Sequence, residues 1–171
     1  IDGDLLTKKD LAESKIYQSM EEALKEPEKV YTLVLVNKGW EELPEEILQF
    51  ENLQKLALGK NKFKIFPKKI LHLKKLQILA LPNCGLTELP ENIDELPNLQ
   101  ELWLKNNAIM KLPKGIFNLS KLNILALGTN LIDKLPSEIS KLKLLDTLGY
   151  KIISSDSRGE SLDVLSAIRK N

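Results

Sequence analysis

The sequence contains few of the residues that support catalysis, metal binding or covalent cross-linking. Its 171 residues include one cysteine and one histidine. A single cysteine excludes an intramolecular disulfide, and His72 has no second His or Cys at metal-ligand spacing. There is also no glycine-rich phosphate loop. We therefore expect no enzyme activity, no bound metal and no cofactor.

Long apolar runs and a large net charge are missing as well. No stretch approaches the roughly 20 apolar residues that cross a bilayer, so we expect no membrane span. The formal net charge is +1, which gives no general attraction to nucleic acid. The chain opens with Ile1-Asp2-Gly3-Asp4 instead of Met, which agrees with earlier removal of a signal peptide.

What the sequence does contain is a repeat. Rows of 23 residues align it without a gap from Val30 to Leu144, as 30–52, 53–75, 76–98, 99–121 and 122–144. Columns are numbered here from the first residue of each row. Columns one, four and six hold only Val or Leu: Val30, Leu53, Leu76, Leu99, Leu122; Leu33, Leu56, Leu79, Leu102, Leu125; Leu35, Leu58, Leu81, Leu104 and Leu127.

The repeat pattern, LxxLxLxxNxLxxLPxxIxxLxxL, predicts a fold. One unit cannot bury its apolar side alone, whereas stacked copies form a continuous core. The alternation at the start of each row predicts a short strand, and stacked strands give a parallel sheet on the concave face. The proline in each row disfavours long helices on the outer side. We expect an α/β solenoid with an irregular convex face.

The LPxxI rows resemble the 23-residue type of bacterial leucine-rich repeat, and the preceding SMEEALKEPEKVYTLVL is similar to the entry helix of the leptospiral proteins of that family. The resemblance covers residues 15–150. It implies a leucine-rich-repeat horseshoe. It also implies secreted or surface proteins that bind host components, and it carries over no catalytic residues.

The ends of the repeat array need covers, because the first and last core layers would otherwise face water. We predict one domain over 1–171, with an N-terminal helical cap at 1–29, repeats at 30–144, and a partial repeat and C-terminal helical cap at 145–171. A capping box at Ser19 and Glu22 predicts a helix over 18–26. Apolar residues at helical spacing predict another over 160–170, and Leu5, Leu6 and Leu11 are compatible with a further front helix.

Two other columns support predictions about side-chain roles. Column nine recurs as Asn61, Asn107 and Asn130, whose amides are expected to satisfy backbone groups at the turn after each strand. Cys84 occupies the same column, and a buried packing role is favoured there over a reactive thiol. Column sixteen alternates in charge, which suggests a ladder of ion pairs through Glu45, Lys68, Glu91 and Lys114.

Partner binding is expected on the concave face, where columns two, three and five project. Trp103 stands among alanines with isoleucines beside it, as favoured at interface hot spots. The alternatives are that Trp103 covers its neighbours without a partner, or that the patch drives self-association. Trp40 lies in a core column and is expected to pack. The predicted partner-binding residues are Tyr31, Val34, Lys55, Ile78, Glu101, Trp103 and Ile124.

These observations favour a protein–protein interaction module of unidentified partner. The first hypothesis is a secreted or surface-exposed bacterial protein that binds host or cell-surface proteins through its concave face. The alternative is a cytoplasmic scaffold or inhibitor that binds an intracellular protein. Nucleic-acid recognition is not expected, because the inner face lacks a basic stripe. The lysine-rich second repeat is interpreted as charge balance with its acidic neighbours in preference to a polyanion site.

Overall fold

A computed structural model of the chain describes residues 5–149. Two short α-helices, α1 (Lys8–Glu13) and α2 (Met20–Ala23), lie before the repeats. The strands are β1 (Ile16–Tyr17), β2 (Thr32–Val34), β3 (Lys55–Ala57), β4 (Ile78–Ala80), β5 (Glu101–Trp103), β6 (Ile124–Ala126) and β7 (Thr147–Gly149). The helix predicted over 160–170 lies outside the described residues.

Within the described range, all strands belong to one open parallel sheet in the order β1 to β7. The register between β2 and β6 is one repeat, so that Leu33 pairs with Leu56 and Leu102 with Leu125. The predicted solenoid and its parallel sheet are confirmed. Strand β1 was not predicted: Ile16 and Tyr17 pair with β2 inside the region assigned to a helical cap.

The core follows the three Val and Leu columns. Each of those fifteen residues is at most 1% exposed, and together they form one cluster from Tyr17 to Leu145. Full burial of such a side chain contributes about 1.5–3 kcal/mol. Trp40 is partly buried and packs against this cluster, as predicted. The repeated core therefore positions the strands β2 to β6.

The convex side consists of short 3₁₀ helices. They span Glu45–Gln49, Lys68–His72, Ile93–Glu95, Lys114–Asn118 and Ser137–Lys141. Four of them begin directly after the proline of the row, which has no N–H to donate and fixes its own φ. The predicted irregular convex face is confirmed, and His72 lies exposed on it.

The asparagines of column nine hold backbone groups at the turns that follow the strands. The Oδ1 of Asn61 accepts from the N–H groups of Lys38 and Trp40 at 3.0 and 3.2 Å, and its Nδ2 donates to the carbonyls of Leu35 and Leu58 at 2.9 and 2.8 Å. Asn107 and Asn130 bind neighbouring backbone in the same manner. The predicted role of this column is confirmed.

The cap and the charge ladder differ from prediction. The Oγ of Ser19 accepts from the N–H of Glu22 at 3.1 Å, as a capping box requires, but α2 is shorter than the predicted 18–26.

The predicted ladder of ion pairs through column sixteen is wrong for the described residues. Lys69, one position later than Lys68, reaches Glu45 at 3.1 Å, and the backbone N–H of Lys114 donates to Glu91.

Candidate functional site

The concave face is formed by side chains on either side of the central leucine of each strand. Because side chains alternate along a strand, columns three and five share the face opposite to the buried column four. Column five carries small side chains except at Trp103, and we call it the column-five strip. Its members are Val34, Ala57, Ala80, Trp103 and Ala126.

Trp103 is the one bulky aromatic side chain in this strip. It is 37% exposed and stands in register between Ala80 on β4 and Ala126 on β6. Both register neighbours are alanines, whose side chains are single methyl groups. A large, partly exposed aromatic of this kind is typical of an interface anchor.

The orientation of Trp103 is fixed by Glu101 on the same strand. The indole Nε1 donates to Oε2 of Glu101 at 3.0 Å. The other carboxylate oxygen, Oε1, lies 2.8 Å from the Nζ of Lys8. This contact raises the pKa of the Lys8 ammonium above its usual range, chiefly through the hydrogen bond to Glu101.

Glu101 therefore differs from its sequence prediction. It was expected to be part of an accessible surface, yet it is 7% exposed and its carboxylate is engaged within the chain. The reason is that Lys8, from a segment without any repeat pattern, lies over it. The expectation that Glu101 is exposed is wrong.

That covering segment is residues 5–14, which we call the N-terminal segment. The N–H of Leu6 donates to Oε1 of Gln54, and the carbonyl of Leu6 accepts from Nε2 of Gln77, both at 2.9 Å. At its other end, the hydroxyls of Ser14 and Thr32 lie 2.9 Å apart. The segment thus contacts residues at β2, β3, β4 and β5. We call Thr32, Gln54, Gln77 and Glu101 the covered strip.

The two glutamines of the covered strip are hydrogen-bonded to each other, and Gln100 extends their row. Nε2 of Gln77 donates to Oε1 of Gln54 at 2.8 Å, and Nε2 of Gln100 donates to Oε1 of Gln77 at 2.6 Å. Gln54 and Gln77 are buried, as is Thr32. Column two was predicted to project to the inner face as open surface, but Gln54 and Gln77 are bound to the N-terminal segment.

The other predicted binding residues lie on or beside the concave face. Lys55, Ile78 and Ile124 occupy column three, and each is partly buried. Val34 lies in the column-five strip, and Tyr31 directly precedes β2; both are also partly buried. The structure brings these residues onto one sheet, with Trp103 more exposed than any of them.

Two further features are absent from residues 5–149. No helix there is long and apolar enough to cross a bilayer. In the same range, no group of three or more His, Cys, Asp and Glu side chains is placed to hold a metal ion.

Comparisons with known proteins agree with this architecture. A family model described as a leucine-rich repeat region matches residues 76–170. The chain belongs to the leucine-rich-repeat family. Its predicted resemblance to leptospiral members is also confirmed: a solved leucine-rich-repeat protein of Leptospira interrogans is 34% identical with a TM-score of 0.67. The match covers 84% of this chain and 43% of that one, so the present leucine-rich-repeat chain spans less than half of its relative.

Two further solved structures share the fold. The PEPR1–AtPEP1 complex is 29% identical with a TM-score of 0.58, over 71% of this chain and 18% of that one. An internalin, inlF, of Listeria monocytogenes is 20% identical with a TM-score of 0.58, over 79% of this chain and 45% of that one. Comparison with curated proteins found no significant match.

Proposed function

We propose that the chain is a protein-interaction module that binds its partner through the column-five strip, with Trp103 as anchor. The observation that carries this proposal is the placement of Trp103: a tryptophan 37% exposed, in register with alanines on both neighbouring strands and held by Glu101. A partner side chain or loop would cover the ring and the flat surface beside it.

The physical argument is that Trp103 offers a large apolar contact at low entropic cost. Its Nε1 is already hydrogen-bonded, so burial under a partner leaves no donor unsatisfied. Its orientation is set before binding, which reduces the ordering cost of association. The 29% identical neighbour PEPR1 was solved with AtPEP1, which supports protein or peptide binding by this fold.

The proposed setting is outside the bacterial cell, against a host or cell-surface protein. The support is the resemblance to the leptospiral proteins. Labelling of surface proteins on intact cells, with a cytoplasmic enzyme as the negative control, tests this setting. Recovery of the chain only after lysis would favour the cytoplasmic scaffold or inhibitor.

The anchor role is tested with Trp103→Ala and a matched variant, Met110→Ala. Met110 is 67% exposed and lies outside the column-five strip, so its loss removes exposed apolar area elsewhere. For a partner captured from host extract and then purified, we expect Trp103→Ala to weaken binding at least about 30-fold, as for a hot-spot residue. Met110→Ala should bind within about twofold of wild type.

An equal affinity of wild type and Trp103→Ala for that partner would refute the anchor role. Light scattering during size-exclusion chromatography tests whether the chain self-associates instead. A wild-type oligomer that Trp103→Ala converts to monomer would assign the column-five strip to self-assembly, and a monomer in both leaves the strip available to another protein.

A further inference from the structure

Residues 5–14 of the same chain lie on the covered strip and occupy it as a bound peptide would. Its main chain is bound at Leu6 by two glutamine side chains, and its ammonium at Lys8 by Glu101. Glutamine side chains that donate to and accept from one residue reproduce the pairing that a neighbouring strand would give it. This arrangement has the form of a receptor with its ligand attached.

We propose that the covered strip is a peptide-binding site and that the N-terminal segment is its displaceable internal ligand. The external ligand is a peptide whose main chain pairs with Gln54 and Gln77 and which carries a lysine two residues later for Glu101. This inference deepens the proposed function, because the same concave face would then bind a partner through both strips once the segment leaves.

Displacement is favoured by how little holds the segment. Leu11 is its one buried side chain among residues 5–14, and it lies outside the main core cluster. The Lys8 side chain is 71% exposed despite its ion pair. In contrast, Tyr17 on β1 is 1% exposed and belongs to the core. The segment can therefore detach as far as Ser14 without opening the core.

The helical part of the segment has no independent stability. Helix α1 has six residues, well below the roughly 12–15 at which isolated helices become marginally stable in water. Its N-cap, in which Thr7 Oγ1 accepts from the N–H of Asp10 at 3.1 Å, is exposed. Once its contacts to the sheet are lost, the helix is expected to unfold, which leaves the covered strip accessible.

Selectivity comes from Glu101, since the glutamines bind main-chain groups that every peptide carries. A buried carboxylate without its cation is costly, so an incoming peptide must replace the Lys8 ammonium. The same carboxylate holds the indole of Trp103. A lysine-bearing peptide would therefore preserve the orientation of the proposed anchor, whereas an acidic one would disturb it.

The test uses the full chain with Lys8→Glu and Leu11→Asp, which remove the ion pair and the buried side chain of the segment. The probe is a labelled synthetic peptide with the sequence of residues 1–14, and binding is followed by fluorescence anisotropy. A tethered ligand competes at millimolar effective concentration. We therefore expect the double variant to bind the peptide at least about tenfold more tightly than wild type does.

Release is checked independently by hydrogen exchange. The amide of Leu6, bound to Gln54 in the wild type, should exchange at the rate of an unstructured peptide in the double variant. The matched control is Lys9→Glu, which makes the same charge change at an exposed neighbour of Lys8. It should retain both the protection and the weak peptide binding of wild type.

A charge exchange then tests the role of Glu101. For this test position 8 of the chain is made neutral, so that it cannot pair with the new lysine. A chain with Lys8→Ala, Leu11→Asp and Glu101→Lys should prefer a peptide carrying Lys8→Glu over the native peptide. Equal peptide binding by wild type and the double variant, no binding by the double variant, or unchanged Leu6 protection in it would each overturn the proposal. No foreign protein is present, so a failure here is distinct from a failure of Trp103→Ala to weaken partner binding.

Discussion

The indole Nε1 of Trp103 donates a 3.0 Å hydrogen bond to the carboxylate of Glu101, two residues earlier on β5. Residues two apart on a strand share one face, so the pair lies side by side on the concave surface. The second oxygen of Glu101 binds Lys8 at 2.8 Å. One buried carboxylate thus connects the most exposed residue of the column-five strip to the N-terminal segment.

The Lys8–Glu101 pair should contribute about 1 kcal/mol to holding the segment, the upper end for an ion pair with an exposed partner. We expect Lys8→Ala and Glu101→Gln each to lower the free energy of local opening by that amount, and the double variant to lower it no further. Native-state hydrogen exchange at Leu6 measures this free energy. The difference in this free energy between wild type and each single variant should become smaller at about 1 M salt.

Lys9→Ala is the control for that cycle, because Lys9 is exposed and one residue away. It should leave the opening free energy unchanged. Strictly additive effects of Lys8→Ala and Glu101→Gln would show that the two side chains do not interact in solution.

Asn61→Ala should destabilise the fold strongly. The residue is 3% exposed, and its removal leaves the N–H groups of Lys38 and Trp40 and the carbonyl of Leu35 without this partner. The carbonyl of Leu58 keeps the Cys84 thiol. At about 1–3 kcal/mol for each buried group left unsatisfied, partly relieved by water, the free energy of unfolding should fall by at least about 3 kcal/mol. Urea denaturation measures the loss.

Asn118→Ala is the matched control in the same experiment. Asn118 lies on the exposed convex side, where its Nδ2 donates to Asp94 at 3.0 Å. Its loss should change the free energy of unfolding by less than about 0.5 kcal/mol. Similar effects at Asn61 and Asn118 would contradict the structural role assigned to column nine.

The repeat architecture was predictable because its buried positions recur every 23 residues. Leu33 and Leu56 occupy the same column and pair in the sheet, so the spacing alone gives the register. Asn61 was predictable for a similar reason, since an asparagine stands in column nine of three of the five rows and backbone groups at the turn need partners. Period and composition together therefore predicted the core, the sheet and the turns.

The covered strip was not predictable, because its contacts follow no period. The carbonyl of Leu6 accepts from Gln77 across 71 residues of sequence, and a contact made by a backbone group leaves no mark on residue type. Glu101 appeared accessible for the same reason. The prediction of the charge ladder was wrong for another reason. Positions 68 and 69 are both lysines, and only the direction of each side chain selects Lys69 for Glu45.

Gly115→Ala should destabilise the chain by about 2 kcal/mol. A Cβ at this position would overlap the carbonyl oxygen of Glu91 in the preceding repeat, and backbone atoms cannot move aside as a side chain can. Overpacking of this kind costs about 1–3 kcal/mol. Gly128→Ala is the comparison, since its Cβ would meet only the flexible side chain of Lys105 at 3.3 Å.

Thermal and urea unfolding of the two glycine variants measure the contrast. Gly128→Ala should lie within about 0.5 kcal/mol of wild type, because the lost freedom of the unfolded chain offsets the small shift of Lys105. A Gly115→Ala variant as stable as wild type would mean that the Lys114–Asn118 turn does not approach Glu91 this closely.

Cys84 should be unreactive while the protein is folded. The thiol is 1% exposed and donates to the carbonyl of Leu58 at 3.3 Å, and burial raises the pKa of the Cys84 thiol above its ordinary value of 9.0. Since the thiolate is the nucleophile, a disulfide reagent at about pH 8 should label the native chain only as fast as it unfolds.

The same pKa shift predicts how stability depends on pH. The folded thiol keeps its proton where the unfolded thiol loses it, so its contribution is complete below the ordinary pKa of 9.0 and decreases as pH rises above that value. Cys84→Ala has no thiol and should lack this decrease, which urea unfolding at a series of alkaline pH values would reveal as diverging free energies. Fast stoichiometric labelling of the native chain would instead show that the column-nine position of the third repeat is open to solvent.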